Sequence, residues 1–207
     1  KVGAPIAVAI FGKIASGKST VLKYFKDQGY PCISSDEIVN ILYQYKDITK
    51  AISKMFNLDF VDVVDKAVLR NYLVQNPAEI KRINRFIHPL VKEKIEQFIK
   101  DNKDNICFVE VPLLFESKSD NLFDYIIGVD AKEVIQLKRL QERNNNASEN
   151  LKKISAGNKF EENKSKADFI VNNDEDLAHL GAQLSKILNK LKENLNQSPI
   201  SSQISLF

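Results

Sequence analysis

Apolar residues gather into short runs at positions 6–11, 31–34, 106–111, 125–129 and 169–171, each rich in β-branched or aromatic side chains. Longer amphipathic segments separate them, and that alternation predicts a parallel sheet covered by helices. After the first run, "STVLKYFKDQG" puts Val21, Leu22 and Phe25 on one helical side and stops at Gly29, so the chain opens as strand, glycine-rich turn and helix. From 37 to 104 no run reads as a strand. The helical pattern there breaks near "FNLDFVDVVD", "QNP" and "HPLV", which predicts a helical insertion at the edge of the sheet. A second strandless stretch, 133–166, is charged and Asn-rich and fits either a mobile helical flap or a solvated helix pair. The closing "NLNQSPISSQISLF" has no period and reads as a loosely held tail.

A length of 207 residues accommodates one chain-long unit with an insertion between its strands. No stretch approaches the roughly 20 apolar residues of a membrane span, which excludes an integral membrane protein of the helical kind. Thirty basic against twenty-seven acidic residues leave a net charge of +3. That balance fits an anionic small ligand and lacks the strongly basic face of a nucleic-acid binder. Cys32 and Cys107 lie in or beside apolar segments and read as reduced core thiols. With only His88 and His179 to join them, a structural zinc site is not expected. The opening "KVGAPIAVAI" carries one positive charge and no cleavage pattern, which predicts a cytoplasmic protein, and a start at Lys1 implies trimming of this end.

The candidate chemistry sits in the first turn. Gly12, Lys13, Ile14, Ala15, Ser16, Gly17, Lys18 and Ser19, followed by Thr20, fit G-x-x-x-x-G-K-[ST] at every fixed position, after a strand and before a helix. Such a loop turns successive backbone N–H groups onto phosphate oxygens, and glycines at 12 and 17 allow angles and approaches that a Cβ would block. The helix adds its positive end. Lys18 can then reach the β and γ phosphates of ATP or GTP, and the Ser19 hydroxyl can ligate Mg²⁺. Glu110, at the end of "ICFVE", offers a carboxylate that holds the metal through water, or is an ordinary strand-end acid.

Neither Asn-Lys-x-Asp nor Asp-x-x-Gly occurs, so a GTPase lacks its base-reading and switch residues. A compact kinase for a small molecule is the class that remains. It needs a carboxylate near the acceptor hydroxyl to take its proton. Asp36, in "PCISSDEI", falls at the carboxyl end of the second strand, where an α/β sheet lines its ligand crevice. The same residue is as good a cap for the helix beginning "DEIVNIL", and the residues alone leave the two roles level.

"GKIASGKST", "ISSDEI", "IHPLV", "VPLLFE" and "KADFIVNND" occur in the order and at about the spacing of dephospho-coenzyme A kinases, and the chain resembles that family over nearly its whole length. The resemblance implies a P-loop NTPase-type α/β fold: a five-stranded parallel sheet flanked by helices, with a helical substrate-binding insertion and a helical lid. It assigns 1–36, 105–132 and 167–191 to the nucleotide-binding core, 37–104 to an acceptor (CoA)-binding insertion, 133–166 to the lid and 192–207 to a tail. It implies transfer of a phosphoryl group from ATP, with Mg²⁺, to the 3′-hydroxyl of dephospho-CoA, by a monomer or weak homo-oligomer. A kinase for another alcohol or nucleoside monophosphate, or an impaired nucleotide-binding protein, fits the same motifs.

By matching position, Asp36 is implied as the catalytic carboxylate. His88, Pro112, Leu113 and Phe115 are implied in the acceptor wall, the alternatives being a helix-end histidine and core packing. Arg139 and Arg143, four apart on one helix face, are implied to close on the triphosphate, or else belong to a solvated basic face. "VNND", with Asn173, is implied beside the adenine. The chain departs from the family's pattern at Lys13 and Ala15 (usually glycine), Ser34 (usually acidic), Glu110 (usually Asp), Gly157-Asn158-Lys159 (usually Q-x-P) and 163–168 (usually Lys-Arg-x-x-Ala-Asp).

Overall fold

Every residue of the strand β1 (Ile6–Gly12) is buried, which is the burial a central parallel strand requires. A computed structural model describes residues 6–103, 105–155 and 159–197. β1 lies between β3 (Ile106–Glu110) and β4 (Tyr125–Asp130), parallel to both, with Ile10 opposite Glu110 on one side and Ile127 on the other. β5 (Phe169–Asn172) pairs with β4, and β2 (Cys32–Ser34) completes the order β2-β3-β1-β4-β5. The five strands fall on the five apolar runs.

Helix α1 (Lys18–Asp27) buries Val21, Leu22 and Phe25, the three residues its period singles out, and the Phe25 ring stacks on Phe108 with centroids 3.8 Å apart. Gly29, at φ 88°, turns the chain out of the helix. The long helix α9 (Leu177–Gln197) buries Leu180, Leu184, Leu188 and Leu191 against this core. It carries residues 192–197, which the aperiodic reading assigned to the tail. The apolar period runs on to Leu195, which packs partly buried against the core, and "KENLNQ" holds no Gly or Pro to stop the helix. The tail from 198 on, the first five residues and 156–158 lie outside the described residues.

The chain divides into two compact units: Lys1–Cys32 with Ile99–Phe207, and Ile33–Phe98. The second is helical. It contains α2 (Ser35–Leu42), α3 (Lys46–Phe56), α4 (Lys66–Gln75), a 3-10 turn at Pro77–Glu79 and all but the end of α5 (Ile80–Asp101). The breaks at 57–65 and near Asn76 are present. The one expected at "HPLV" is not: α5 runs through Pro89, an exposed position in a helix of 22 residues whose buried side bears Ile83, Ile87 and Ile95. Residues 133–166 are helical too, with α6 (Glu133–Arg143), α7 (Ala147–Ser155), α8 (Phe160–Asn163) and a 3-10 turn at Lys164–Lys166, and they group with the sheet.

Candidate active site

The loop between β1 and α1 is built so that only glycine fits at two places. A Cβ on Gly12 would lie 2.5 Å from the Val129 carbonyl oxygen, and one on Gly17 would lie 2.3 Å from the Asn173 side-chain nitrogen. Gly17 also sits at φ 91°. Ala15, at φ 54°, is the second left-handed residue of the loop, a conformation that costs a residue with a Cβ roughly 1–2 kcal/mol. The reward is the direction of the backbone: among the described residues the N–H groups of Ile14, Ala15 and Gly17 have no protein acceptor. Unpaired amides converging at a helix N-terminus form an anion cradle. Lys18 stands over it, its ammonium donating to the carbonyls of Lys13 at 2.9 Å and Gly12 at 3.4 Å. Ser16 is fully buried behind the loop, and its hydroxyl has no hydrogen-bond partner among the described residues.

Helix α6 braces the loop from outside. Gln136 donates to the carbonyl of Ile14 at 2.9 Å, and Arg139, one turn on, donates to those of Ala15 at 3.1 Å and Asn173 at 2.7 Å. Asn173 is buried just past β5 and donates its side-chain amide to the Ser16 carbonyl at 2.8 Å. Gly17, Thr20, Arg139, Arg143 and Asn173 line a common cavity of about 660 Å³ with the start of α9. Arg143 is exposed there and makes no hydrogen bond or ion pair among the described residues.

A charged cluster closes the other side. The Lys13 ammonium lies 2.8 Å from Asp130, at the end of β4, and 2.8 Å from Glu161 on α8; Lys164 approaches the second Asp130 oxygen at 2.8 Å. Burial works against charge on Asp130, but the two ammonium groups outweigh it and hold the carboxyl below its usual range. Burial likewise works against Lys13, and its two acids outweigh that to raise its pKa. Phe160, buried beneath Lys13, packs on Phe11 with ring centroids 5.2 Å apart.

In the helical unit, Asp36 occupies the first turn of α2 and is exposed. It does not cap that helix. Ser34 does, accepting from the Glu37 N–H while the Glu37 carboxylate accepts from Ser34, so the capping role is already filled. His88 is half-buried in the middle of α5, not at a helix end, and burial lowers its pKa. It is not among the residues lining the cavity beside Asp36. Pro112, Leu113 and Phe115 form a turn after β3 in which Leu113 is exposed and Phe115 meets Phe11 edge-on at 5.1 Å. Ser19 is exposed in the first turn of α1, and Glu110 ends β3. Among the described residues no three His, Cys, Asp or Glu cluster to hold a metal by themselves. A cation here would need oxygen ligands from a bound phosphate, and the hydroxyl and carboxylate available suit a hard ion such as Mg²⁺.

A model of the family described as dephospho-CoA kinase matches residues 6–179. The chain belongs to the dephospho-CoA kinase family. The dephospho-CoA kinase of Bartonella quintana is 33% identical over 192 residues, covering 90% of this chain and 98% of that protein. That of Rickettsia bellii is 31% identical over 189 residues, with the same two coverages. Among solved structures, dephospho-CoA kinase from Campylobacter jejuni is similar with a TM-score of 0.69 and 28% identity, over 91% of this chain and 98% of that one.

For a member of the dephospho-CoA kinase family, two departures acquire a structural account. Lys13 carries the ion pairs to Asp130 and Glu161, and Ser34 is the cap of α2. Ala15 has no such gain to set against its left-handed backbone. Sequence reasoning missed Asp130 and Gln136. The first had a signal, a carboxylate at the carboxyl end of a strand, and the second lies three residues before Arg139 on the same helix face.

Proposed function

We propose that this chain transfers the γ-phosphoryl group of ATP to the 3′-hydroxyl of dephospho-CoA, giving CoA and ADP. The observation that carries the reading is the pre-formed loop between β1 and α1, in which the amides of Ile14, Ala15 and Gly17 have no protein acceptor among the described residues, in a chain of this family. The P-loop amides and Lys18 hold the β and γ phosphates. Mg²⁺ would be held by the Ser19 hydroxyl and, through water, by Glu110, and it supplies neutralisation of the phosphate charge. Arg143, its guanidinium unpaired among the described residues, provides charge for the transferring group, while Arg139 keeps the loop in shape. The adenosine belongs in the cavity beside Thr20 and Asn173.

The acceptor's 3′-oxygen forms a bond to the γ-phosphorus as the bond from that phosphorus to the β,γ-bridging oxygen breaks. ADP leaves with the electron pair, and the hydroxyl proton passes to the Asp36 carboxylate. Asp36 is free for this because Ser34 and Glu37 cap its helix. His88, Pro112, Leu113 and Phe115 complete the acceptor wall; with its pKa lowered by burial, His88 serves there as a neutral ring. The reading places the enzyme in the cytoplasm, where both reactants are dissolved.

Coupled ADP release with and without dephospho-CoA tests the proposal. Turnover should require the acceptor, and Asp36→Asn should lower it by about 10²–10⁴ with ATP affinity unchanged. Loss of ATP binding with turnover spared would contradict the assignment of Asp36.

A further inference from the structure

Each free amide of the cradle belongs to a planar trans peptide, in which the N–H and the carbonyl of the preceding residue point opposite ways. Whatever holds that carbonyl therefore aims the amide. The three are aimed by different groups. The Ile14 N–H is set by the Lys13 carbonyl, which accepts from Lys18 at 2.9 Å and from the Ser16 N–H at 3.2 Å, all within the loop. The Gly17 N–H is set by the Ser16 carbonyl, which Asn173 holds at 2.8 Å. The Ala15 N–H is set by the Ile14 carbonyl, which accepts from Gln136 at 2.9 Å. Arg139 aims none of them: the N–H opposite the Ala15 carbonyl that it holds is that of Ser16, already bonded to Lys13.

The Ala15 amide is the one under strain. At φ 54° its residue is left-handed in spite of a Cβ. Turning the peptide between Ile14 and Ala15 by half a turn would return Ala15 to negative φ and swing its N–H out of the cradle. Among the described residues only Gln136 bonds the Ile14 carbonyl, and it does so from a side chain that is 4% exposed. Gln136 lines a cavity with Lys13 and Ile14, not the one that Gly17, Arg143 and Asn173 share, so it acts through the loop. We infer that Gln136 is a positioning residue for phosphoryl transfer: by holding the Ile14 carbonyl it keeps the strained peptide from turning and keeps the Ala15 N–H on the phosphates of ATP. The inference rests on the proposed seat of those phosphates and adds the residue on α6 on which one donor depends.

The test combines proton–nitrogen NMR of the full chain, with and without MgADP, and steady-state kinetics with ATP and dephospho-CoA varied separately. In the wild type the Ile14, Ala15 and Gly17 amide protons should all move downfield on MgADP. In Gln136→Met, similar in size but without a donor, Ala15 should lose that shift while Ile14 and Gly17 keep theirs. Its KM for ATP should rise by about tenfold, as for one lost hydrogen bond to a charged group, and its KM for dephospho-CoA should stay within about twofold. Gln136→Glu, of equal length and without a donor as a carboxylate, should lose the same Ala15 shift. Adding Ala15→Gly to Gln136→Met should restore part of the ATP affinity, because glycine takes the left-handed conformation without strain. Either folded variant that keeps the wild-type Ala15 shift and KM for ATP would overturn the inference, and so would an equal loss at all three amides. A wild type whose cradle amides do not respond to MgADP would instead overturn the seat of the phosphates on which it rests.

Discussion

The cradle rests on contacts measured in tenths of an ångström. Gly17 is required twice over, by its φ of 91° and by the Asn173 amide where its Cβ would stand. The two demands separate in a double-mutant cycle. Gly17→Ala should cost roughly 1–2 kcal/mol from backbone strain and more from the overlap. Asn173→Ala removes the overlap and leaves the strain. The double variant should therefore be more stable than the sum of the singles by about 1 kcal/mol, measured by urea denaturation; additivity within about 0.5 kcal/mol would show that the amide exerts no steric demand. The glycines were legible in the motif, but the partner of Gly17 was not, because Asn173 is 156 positions away and no local pattern joins them. Asp36 shows the reverse case. Sequence left it between cap and base, although "SSDE" contains the Ser-x-x-Glu signature that assigns the cap to Ser34.

Among elements, Asp130 does the joining. It receives Lys13 from the loop after β1 and Lys164 from the turn before β5, so one strand end holds two connecting segments in place. Its folded pKa is depressed, so its contribution to stability is full above the unfolded value of about 4 and fades as pH falls through the lower folded value. Asp130→Asn should lose about 1–3 kcal/mol at pH 7, less than a fully buried pair because the lysines are partly exposed. Denaturation midpoints at pH 7 and pH 3 should then lie closer together in the variant. An undiminished acid loss would place the titrating group elsewhere. Elements themselves were largely readable: all five strands follow from apolar runs, and α1 from its period. Two readings failed for physical reasons. Pro89 predicts a break, yet a helix whose other side buries Ile83, Ile87 and Ile95 gains more from packing than it loses in one hydrogen bond. The end of α9 continues as helix because Leu195 extends the stripe of Leu188 and Leu191 onto the core, a lone apolar position among polar ones that a period count passes over.

Over the whole molecule, the proposed chemistry divides between two compact units. The sheet unit supplies the phosphate cradle, and the helical unit supplies Asp36. A net charge of +3 is small beside that of a nucleic-acid-binding surface. No described helix is long and apolar enough to cross a membrane. The side-chain brackets that fix the loop, from Gln136, Arg139 and Asn173, join segments distant in sequence and were therefore beyond any local reading. The central claim is that the anion cradle delivers phosphate to one hydroxyl of one acceptor. Its most direct test is to incubate the chain with ATP, Mg²⁺ and dephospho-CoA and to identify the products by mass and phosphorus NMR. The expected result is a 3′-phosphomonoester on the acceptor ribose, formed one for one with ADP; ADP appearing without a phosphorylated acceptor, or phosphate at another position, would contradict it.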